Sequence, residues 1–254
     1  MQVNFLGTGG YFANDRRQTA CLFVPELDLV FDAGSALYRI SNHLRGTRLR
    51  IFLTHAHLDH IVGLPTLLVP LLTGKLKQVS IHGTRETLNA IRQNLFAEPV
   101  FPVQLAVEWI EIPEQGDMDL GDGVTLRWQR LPSHPGGSLA FRIDQKSGAK
   151  RCSVAYVTDT CVDGTYSELI HGAELLIHEC YFRDTNAEMA KRTGHSFSSE
   201  VARLAVETQV GRLILVHVDP LCHLVDPIGL PEMQRIFPAT ELAEDGLQVE
   251  LELK

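Results

Sequence analysis

The sequence predicts a protein of the α/β or α+β class in which a sandwich of β-sheets is flanked by helices. Two observations support this prediction. Short strand-like runs alternate with helical ones along the 254 residues, and each half of the chain contains several strands as well as helices. In addition, no internal repeat and no Ser/Pro-rich linker separates the halves. We therefore expect one domain over residues 1–254.

In the first half, short apolar runs bounded by glycine and Pro-Glu turn signals predict strands, and apolar residues at helical spacing predict helices. The predicted strands are Gln2–Leu6, Ala20–Val24, Asp28–Phe31, Arg50–Leu53 and Val79–His82. The predicted helices are Ala36–Leu44, Asp59–Leu72 with an interruption at Pro65, and Arg85–Phe96.

Several more strands follow. The predicted strands are Val107–Ile112, Val124–Leu131, Leu139–Ile143, Ser153–Val157, Leu175–Ile177 and Leu213–Val216. One helix is predicted over Ser198–Thr208, and the clean polar/apolar alternation of Gln248–Leu253 predicts a closing strand.

Composition limits the class of protein. A hydrophobic content of 44% and a charged content of 21% are typical of a soluble globular protein with a core. The chain has neither a membrane-spanning run nor a signal peptide, so we expect a cytoplasmic protein without a membrane partner. The five scattered cysteines lack a C-x-x-C pair, which favours reduced thiols. The net charge of −8 argues against binding nucleic acid through bulk charge but leaves room for a local basic patch.

The strongest functional signal is the run from His55 to His60, which reads His-Ala-His-Leu-Asp-His directly after an apolar strand. Residues two apart in an extended segment point the same way, so His55 and His57 can bind one ion. Asp59 and His60, at the turn into a helix, can face a second one. Imidazole and carboxylate groups suit zinc and related divalent ions. The alternative, a solvated polar loop, does not account for so dense a cluster.

A six-residue motif cannot fill two metal sites, so further ligands are needed. His134, Asp159 and His217 each follow a predicted strand. Any one of them alone would be read as an ordinary loop residue. Together with the His55–His60 run they supply the missing set.

At this point the chain resembles the metallo-β-lactamase superfamily, whose hallmark is H-x-H-x-D-H followed by a His, an Asp and a final His. The similarity runs from Gly7-Thr8-Gly9-Gly10 to His217 and includes Phe31-Asp32-Ala33-Gly34. It implies the αββα metallo-β-lactamase fold, with two mixed sheets flanked by helices. It also implies that Asp32 supports the metal-binding loop.

The resemblance also implies a ligand assignment for two divalent cations, zinc or alternatively manganese. One cation would be held by His55, His57 and His134. Asp59, His60 and His217 would hold the other, and Asp159 would bridge the two.

Three segments are similar to the ribonuclease Z and cyclic phosphodiesterase branch of this superfamily. They are Ser138–Ile143, Leu176–Phe182 and Thr193–Ala202, the last of which resembles the motif H-S/T-x-x-E-x-A. The branch uses that histidine in catalysis, which implies that His195 protonates the leaving oxygen. The alternative places His195 beside a helix N-cap formed by Ser196 or Ser198.

The implied reaction is attack of a metal-bridging hydroxide on phosphorus, with Asp59 and His195 as the catalytic residues. The roles of His178 and Glu179 stay open, because Glu179 could either orient a catalytic group or satisfy backbone donors at a strand end. The turn that contains Gly136, Gly137 and Ser138 could offer donors to the phosphate.

Ribonuclease Z enzymes carry a protruding arm between the third His strand and the bridging Asp, whereas here only Asp144–Arg151 separates two strands. We therefore expect a small phosphodiester substrate, such as a cyclic nucleotide, rather than RNA. The alternative is a ribonuclease Z-type tRNA 3′-processing endonuclease. A thioester hydrolase or lactamase is opposed by His195, and a non-catalytic metal-binding regulatory module is opposed by the complete ligand set. The resemblance to this branch also implies a homodimer, which we expect here.

Overall fold

The computed structural model describes the whole chain, from Met1 to Lys254. Its contacts divide it into two compact units, one formed by residues 1–113 with 244–250 and the other by residues 114–243 with 251–254. Each unit is built on its own seven-stranded sheet. None of the helices has both the length and the apolar character needed to traverse a lipid bilayer.

The sheet of the first unit is mixed. Its strand order is β14-β1-β2-β3-β4-β5-β6, and the strands from β3 to β6 run parallel, while the other neighbours pair antiparallel. The strands are β1 (Gln2–Gly7), β2 (Cys21–Val24), β3 (Leu29–Phe31), β4 (Arg48–Phe52), β5 (Gln78–Gly83), β6 (Glu108–Glu111) and β14 (Gln248–Glu250).

The helical segments of the first unit are short. They are the α-helices α1 (Leu58–Ile61), α2 (Leu68–Leu72) and α3 (Arg85–Ala90), the 3-10 turns Pro25–Leu27, Ser35–Asn42 and Leu64–Leu67, and one wider turn at Ile91–Leu95. The helix predicted over Asp59–Leu72 is broken more than expected, because Pro65 lies in a 3-10 turn between α1 and α2. Leu37, Ile51 and Leu64 belong to the core that these segments cover.

The sheet of the second unit has the order β13-β12-β11-β10-β9-β8-β7. The strands from β7 to β10 form an antiparallel meander, and those from β10 to β13 run parallel. The strands are β7 (Gln115–Gly121), β8 (Val124–Leu131), β9 (Ser138–Ser147), β10 (Lys150–Val157), β11 (Leu175–Glu179), β12 (Arg212–Val216) and β13 (Thr240–Leu242). The helices are α4 (Ser167–Ile170), α5 (Ala187–Thr193), α6 (Ser198–Glu207) and α7 (Leu230–Ile236), with a 3-10 turn at Asp184–Asn186.

The predicted fold class is confirmed: two mixed sheets, each with helices. The sequence did not predict the strands β7 and β13 or the helices α4, α5 and α7. β7 is an edge strand whose residues are alternately half-buried and exposed, so its apolar signal is weak. The predicted turn between β9 and β10 was too long. The hairpin continues until only Gly148 and Ala149 separate the two strands.

Candidate functional site

The His55–His60 run lies where β4 ends and α1 begins. The rings of His55 and His57 have centroids 4.4 Å apart, and those of His55 and His60 are 4.3 Å apart. His55 and His60 are buried, whereas His57 is exposed. Within the first unit the sequence motif therefore becomes a cluster of three imidazoles at the carboxyl end of a parallel strand.

Asp32, at the end of β3, organises this cluster. Its carboxylate is fully buried and accepts hydrogen bonds from the Thr54 backbone N–H (2.8 Å) and hydroxyl (3.0 Å). Its other oxygen lies 2.8 Å from Nδ1 of His60. Because Nδ1 is engaged, Nε2 of His60 is the atom left to bind a cation, and it lies 3.3 Å from Oδ2 of Asp59.

Two glycines let the Asp32 segment pack directly against α1. The Ala33 N–H donates to the His60 carbonyl at 2.7 Å, and the Gly63 N–H donates to the Ala33 carbonyl at 2.8 Å. A Cβ on Gly63 would lie 2.1 Å from the Gly34 carbonyl oxygen, and one on Gly34 would lie 2.3 Å from the carbonyl oxygen of Asp59. Only glycine fits at either position, so the backbone fixes where the cluster stands.

In the second unit, Asp159 stands between two histidines at the end of β10. Its Oδ1 lies 3.6 Å from Nε2 of His134, and its Oδ2 lies 3.4 Å from Nε2 of His217. The Thr158 hydroxyl donates to Oδ2 at 2.7 Å. Asp159 and His217 have φ values of +53° and +57°, which few non-glycine residues adopt. One carboxylate facing two imidazoles is the arrangement that a bridging ligand requires.

Glu179, the last residue of β11, holds His195. Nδ1 of His195 lies 3.1 and 3.2 Å from the two carboxylate oxygens. The same carboxylate accepts from the Thr160 N–H at 2.6 Å and the Ser196 N–H at 3.3 Å. The two alternatives for Glu179 therefore both hold, because it orients a histidine and satisfies backbone donors at once.

The segment before His195 also orients His134. Nδ1 of His134 lies 3.2 Å from the Gly194 carbonyl oxygen, and the rings of His134 and His195 are 4.8 Å apart. Gly194 has a φ of +77°, and a Cβ there would lie 2.5 Å from the Ser133 carbonyl oxygen. A glycine at this position is thus required both by its backbone conformation and by the close approach of the two loops.

The alternative that Ser196 or Ser198 forms a helix N-cap beside His195 is wrong. The hydroxyl of Ser196 donates to the Thr160 carbonyl, and that of Ser198 donates to the Ile228 carbonyl. The first turn of α6 is instead capped by carboxylates from Asp184, which accepts from the Ser199 N–H, and from Glu200, which accepts from the Phe197 N–H.

The expectation that the Gly136–Ser138 turn offers donors to a phosphate also needs correction, and the role of His178, left open by the sequence, can be described. The Ser138 hydroxyl donates to the carbonyls of Thr158 and Asp159, and the Gly137 N–H donates to the His134 carbonyl, so both donors stabilise the loops rather than face a phosphate. His178 lies in the core, where its Nε2 is 2.7 Å from the Tyr166 hydroxyl. Burial lowers the pKa of His178, which favours its neutral form.

Sequence reasoning missed Tyr11 and Tyr181. The Tyr11 backbone N–H donates to Oδ2 of Asp59 at 2.8 Å. The Tyr181 ring stacks on His195 with centroids 4.7 Å apart and planes 21° from parallel. Tyr181 lies in the Leu176–Phe182 segment, which resembles the family motif L-x-H-E-A-T-F, at the position where that motif has a threonine. No sequence signal indicates an interaction made by a backbone amide.

The chemistry of the donor atoms fits divalent metal ions of the zinc class. The ligating atoms of His134, Asp159 and His195 lie within 4.8 Å of one another, as do those of Glu179, His195 and His217. Imidazole nitrogens and carboxylate oxygens are the ligands that zinc takes in hydrolases. His195 belongs to both groups, but its Nδ1 is bound to Glu179, which is how a proton-transferring histidine is oriented.

Comparison with known proteins gives the family. The beta-lactamase superfamily domain matches residues 29–218. Ribonuclease Z of Synechococcus sp. (strain CC9605) is 31% identical over 319 aligned residues, covering 99% of this chain and 98% of that protein.

Solved structures share the fold. The metallo-beta-lactamase fold protein YhfI from Bacillus subtilis has a TM-score of 0.80 at 22% identity, covering 98% of this chain and 99% of its own. The short form of human tRNase Z has a TM-score of 0.77 at 23% identity, with both chains fully covered. The domain match and the full-length relative show that this chain belongs to the metallo-β-lactamase superfamily of hydrolases, in the branch that contains ribonuclease Z.

Proposed function

We propose that this protein is a metal-dependent phosphodiesterase whose seven metal ligands hold two divalent cations, zinc in the first instance. The ligands are His55, His57, Asp59, His60, His134, Asp159 and His217. The observation that carries the proposal is the Glu179–His195 pair beside His134. An alkoxide leaves phosphorus slowly unless it is protonated, and a histidine oriented by a carboxylate can donate that proton. A lactam or thioester hydrolase has less need of such an acid.

The contacts indicate a separate role for each residue of the site. When bound, a pair of divalent cations supplies an activated water nucleophile and neutralises charge on the phosphoryl oxygens. Asp32 fixes the ring of His60 and the Gly194 carbonyl fixes that of His134, each through Nδ1, so that Nε2 is presented. Glu179 accepts from Nδ1 of His195, which directs a proton on Nε2 toward the leaving oxygen. Asp59 contributes as both ligand and catalytic carboxylate.

For the substrate, we propose RNA cleaved in the manner of ribonuclease Z. This replaces the cyclic phosphate favoured from the sequence, because the full-length relatives are named ribonuclease Z. A groove of about 530 Å³ on β8, β9 and β10 adds support. It is lined by the exposed cations Arg127, Lys146 and Arg151 and by buried Arg142, with Asp144 as its single carboxylate. It is a local basic patch on an acidic chain.

A small phosphodiester stays the second candidate on one specific observation. The β9–β10 hairpin turns over only Gly148 and Ala149, where ribonuclease Z would carry an arm. The alignment with the Synechococcus protein runs over 319 positions whereas this chain has 254 residues, so at least 65 positions of that relative have no counterpart here. A chain without those positions presents less surface to a folded RNA, which would suit a compact substrate.

One competition experiment separates these candidates. The zinc-loaded protein is offered a tRNA precursor, a cyclic nucleotide and a thioester, with Asp159→Ala as the control. We expect cleavage of the tRNA precursor, with an apparent affinity that falls steeply as salt rises. Turnover of the cyclic nucleotide alone would favour the second candidate, and thioester hydrolysis alone would refute the phosphodiesterase.

Assembly as a homodimer is proposed from the family resemblance only. Sedimentation velocity at micromolar concentration tests it, with a species of about twice the 28.3 kDa chain mass as the expected result. A single 28.3 kDa species at micromolar concentration would refute the homodimer.

A further inference from the structure

Two adjacent aromatic rings stand out of the loop that follows β1. Tyr11 is 65% exposed and Phe12 is 41% exposed. Their centroids are 5.1 Å apart and their planes meet at 61°. Aromatic side chains normally bury their faces in a core, so a pair held in solvent calls for a functional explanation.

A tight backbone turn in this loop keeps the two rings exposed. The Phe12 N–H donates to the Gly10 carbonyl at 2.7 Å, closing a three-residue turn around Tyr11, whose φ is +59°. Such a turn is strained for a residue with a side chain, and strain of this kind persists where function requires it. The base of the loop is closed by the Gly9 N–H on the Gln18 carbonyl, at 2.9 Å.

The same turn ties the rings to the catalytic cluster. The Tyr11 N–H is 2.8 Å from Oδ2 of Asp59, one of the proposed metal ligands. The backbone that carries the Tyr11 ring therefore contacts Asp59, a carboxylate that would face the scissile phosphate. A nucleotide places its base close to its phosphate, so a ring in this position can reach the base.

We propose that Tyr11 and Phe12 form a stacking subsite for a nucleobase next to the scissile phosphate. This rests on the proposed phosphodiesterase function and deepens it, since it names the part of the substrate that the site recognises, a base beside the scissile phosphate. Stacking on aromatic side chains is tolerant of base identity because every base has a π-face. The subsite therefore selects for the presence of a base and not for its sequence.

Binding is tested without turnover, using the zinc-loaded protein and a short single-stranded RNA that carries 2-aminopurine, compared with its abasic counterpart. The double variant Tyr11→Ala/Phe12→Ala should lose about tenfold or more in affinity for the first RNA and less than twofold for the abasic one. An alanine at position 11 retains the backbone N–H that Asp59 accepts, so metal content should not change. Tyr11→Trp, which keeps an aromatic ring at position 11, should keep the quenching of 2-aminopurine fluorescence that the double variant loses.

Tyr38→Ala is the matched control, since Tyr38 is 53% exposed in the same unit and its hydroxyl accepts from its neighbour Arg39. It should leave both affinities unchanged. Equal losses of affinity on both RNAs, or none on either, would overturn the subsite even if the protein cleaves phosphodiesters. A base-specific loss in a protein that cleaves no phosphodiester would support the subsite and refute the proposed function instead.

Discussion

The two units supply their proposed ligands in different ways. In the first unit, four ligands fall within six consecutive residues, and a buried carboxylate and two tightly packed glycines brace them. In the second unit, His134, Asp159 and His217 follow β8, β10 and β12, separated by dozens of residues. Two of these three adopt the left-handed backbone conformation. The first arrangement is local and reinforced, and the second depends on three strand ends keeping their register.

This difference predicts where substitution does most harm. Asp159→Ala removes the one carboxylate that faces both His134 and His217. We expect loss of at least half of the bound metal and a fall in kcat/KM of about a thousandfold or more, since both proposed cation sites would lose a ligand. Elemental analysis and steady-state kinetics measure the two effects. Full metal content in a correctly folded variant would remove Asp159 from the bridging role.

The bracing of the first unit is tested by Asp32→Ala. The change leaves His60 Nδ1 and the donors of Thr54 without their buried acceptor. We expect zinc affinity to fall by about 10- to 100-fold and the free energy of unfolding to fall by about 2–3 kcal/mol. Chelator competition and urea denaturation measure them.

Asp28→Asn is the matched control for Asp32→Ala, because Asp28 pairs with the exposed Arg48 at the surface. It should cost less than about 1 kcal/mol and leave zinc affinity unchanged. If Asp32→Ala were equally mild, the first unit would owe its geometry to backbone packing alone.

His195 tests whether the second unit also provides the acid. His195→Ala should lower turnover of an alkyl phosphodiester by about 10²- to 10⁴-fold and that of a nitrophenyl ester far less, because nitrophenolate leaves without a proton. Glu179→Gln should show a smaller version of the same contrast, since it weakens the hold on Nδ1. Equal losses on both esters would mean that His195 binds substrate or metal rather than donating a proton.

The same contrast between local and distant residues governs what the sequence could predict. Periodicity and turn residues predicted most strands, and the dense His55–His60 run was legible by itself. His134, Asp159 and His217 became candidates only because each follows a predicted strand and the His55–His60 run needs further ligands, and the family resemblance then assigned them to cations. A lone residue after a strand carries no local signal. Edge strand β7 was missed for want of buried residues, as were contacts made by backbone amides, such as that of Tyr11 with Asp59. Such contacts depend on register and loop conformation rather than on residue type.

The smallest expected effect concerns Glu200, which accepts from the Phe197 N–H at the start of α6, next to the His195 loop. Burial raises the pKa of Glu200 to about 7. The folded protein therefore binds this proton more tightly than the unfolded chain does, and stability falls as pH rises from about 4.5 to 7. For a half-exposed carboxyl, solvent screening reduces the effect to about 1 kcal/mol.

Glu200→Gln tests this assignment, because glutamine mimics the protonated acid and can still accept from the Phe197 N–H. Urea denaturation at pH 5 and pH 8 should show the variant equal to the wild type at the lower pH and more stable at the higher pH. A stability difference that is the same at both pH values would mean that Glu200 is already ionised at pH 5. In that case the start of α6 is held by a charged cap rather than a neutral one, and the loop that carries His195 is anchored more firmly at neutral pH than the raised pKa implies.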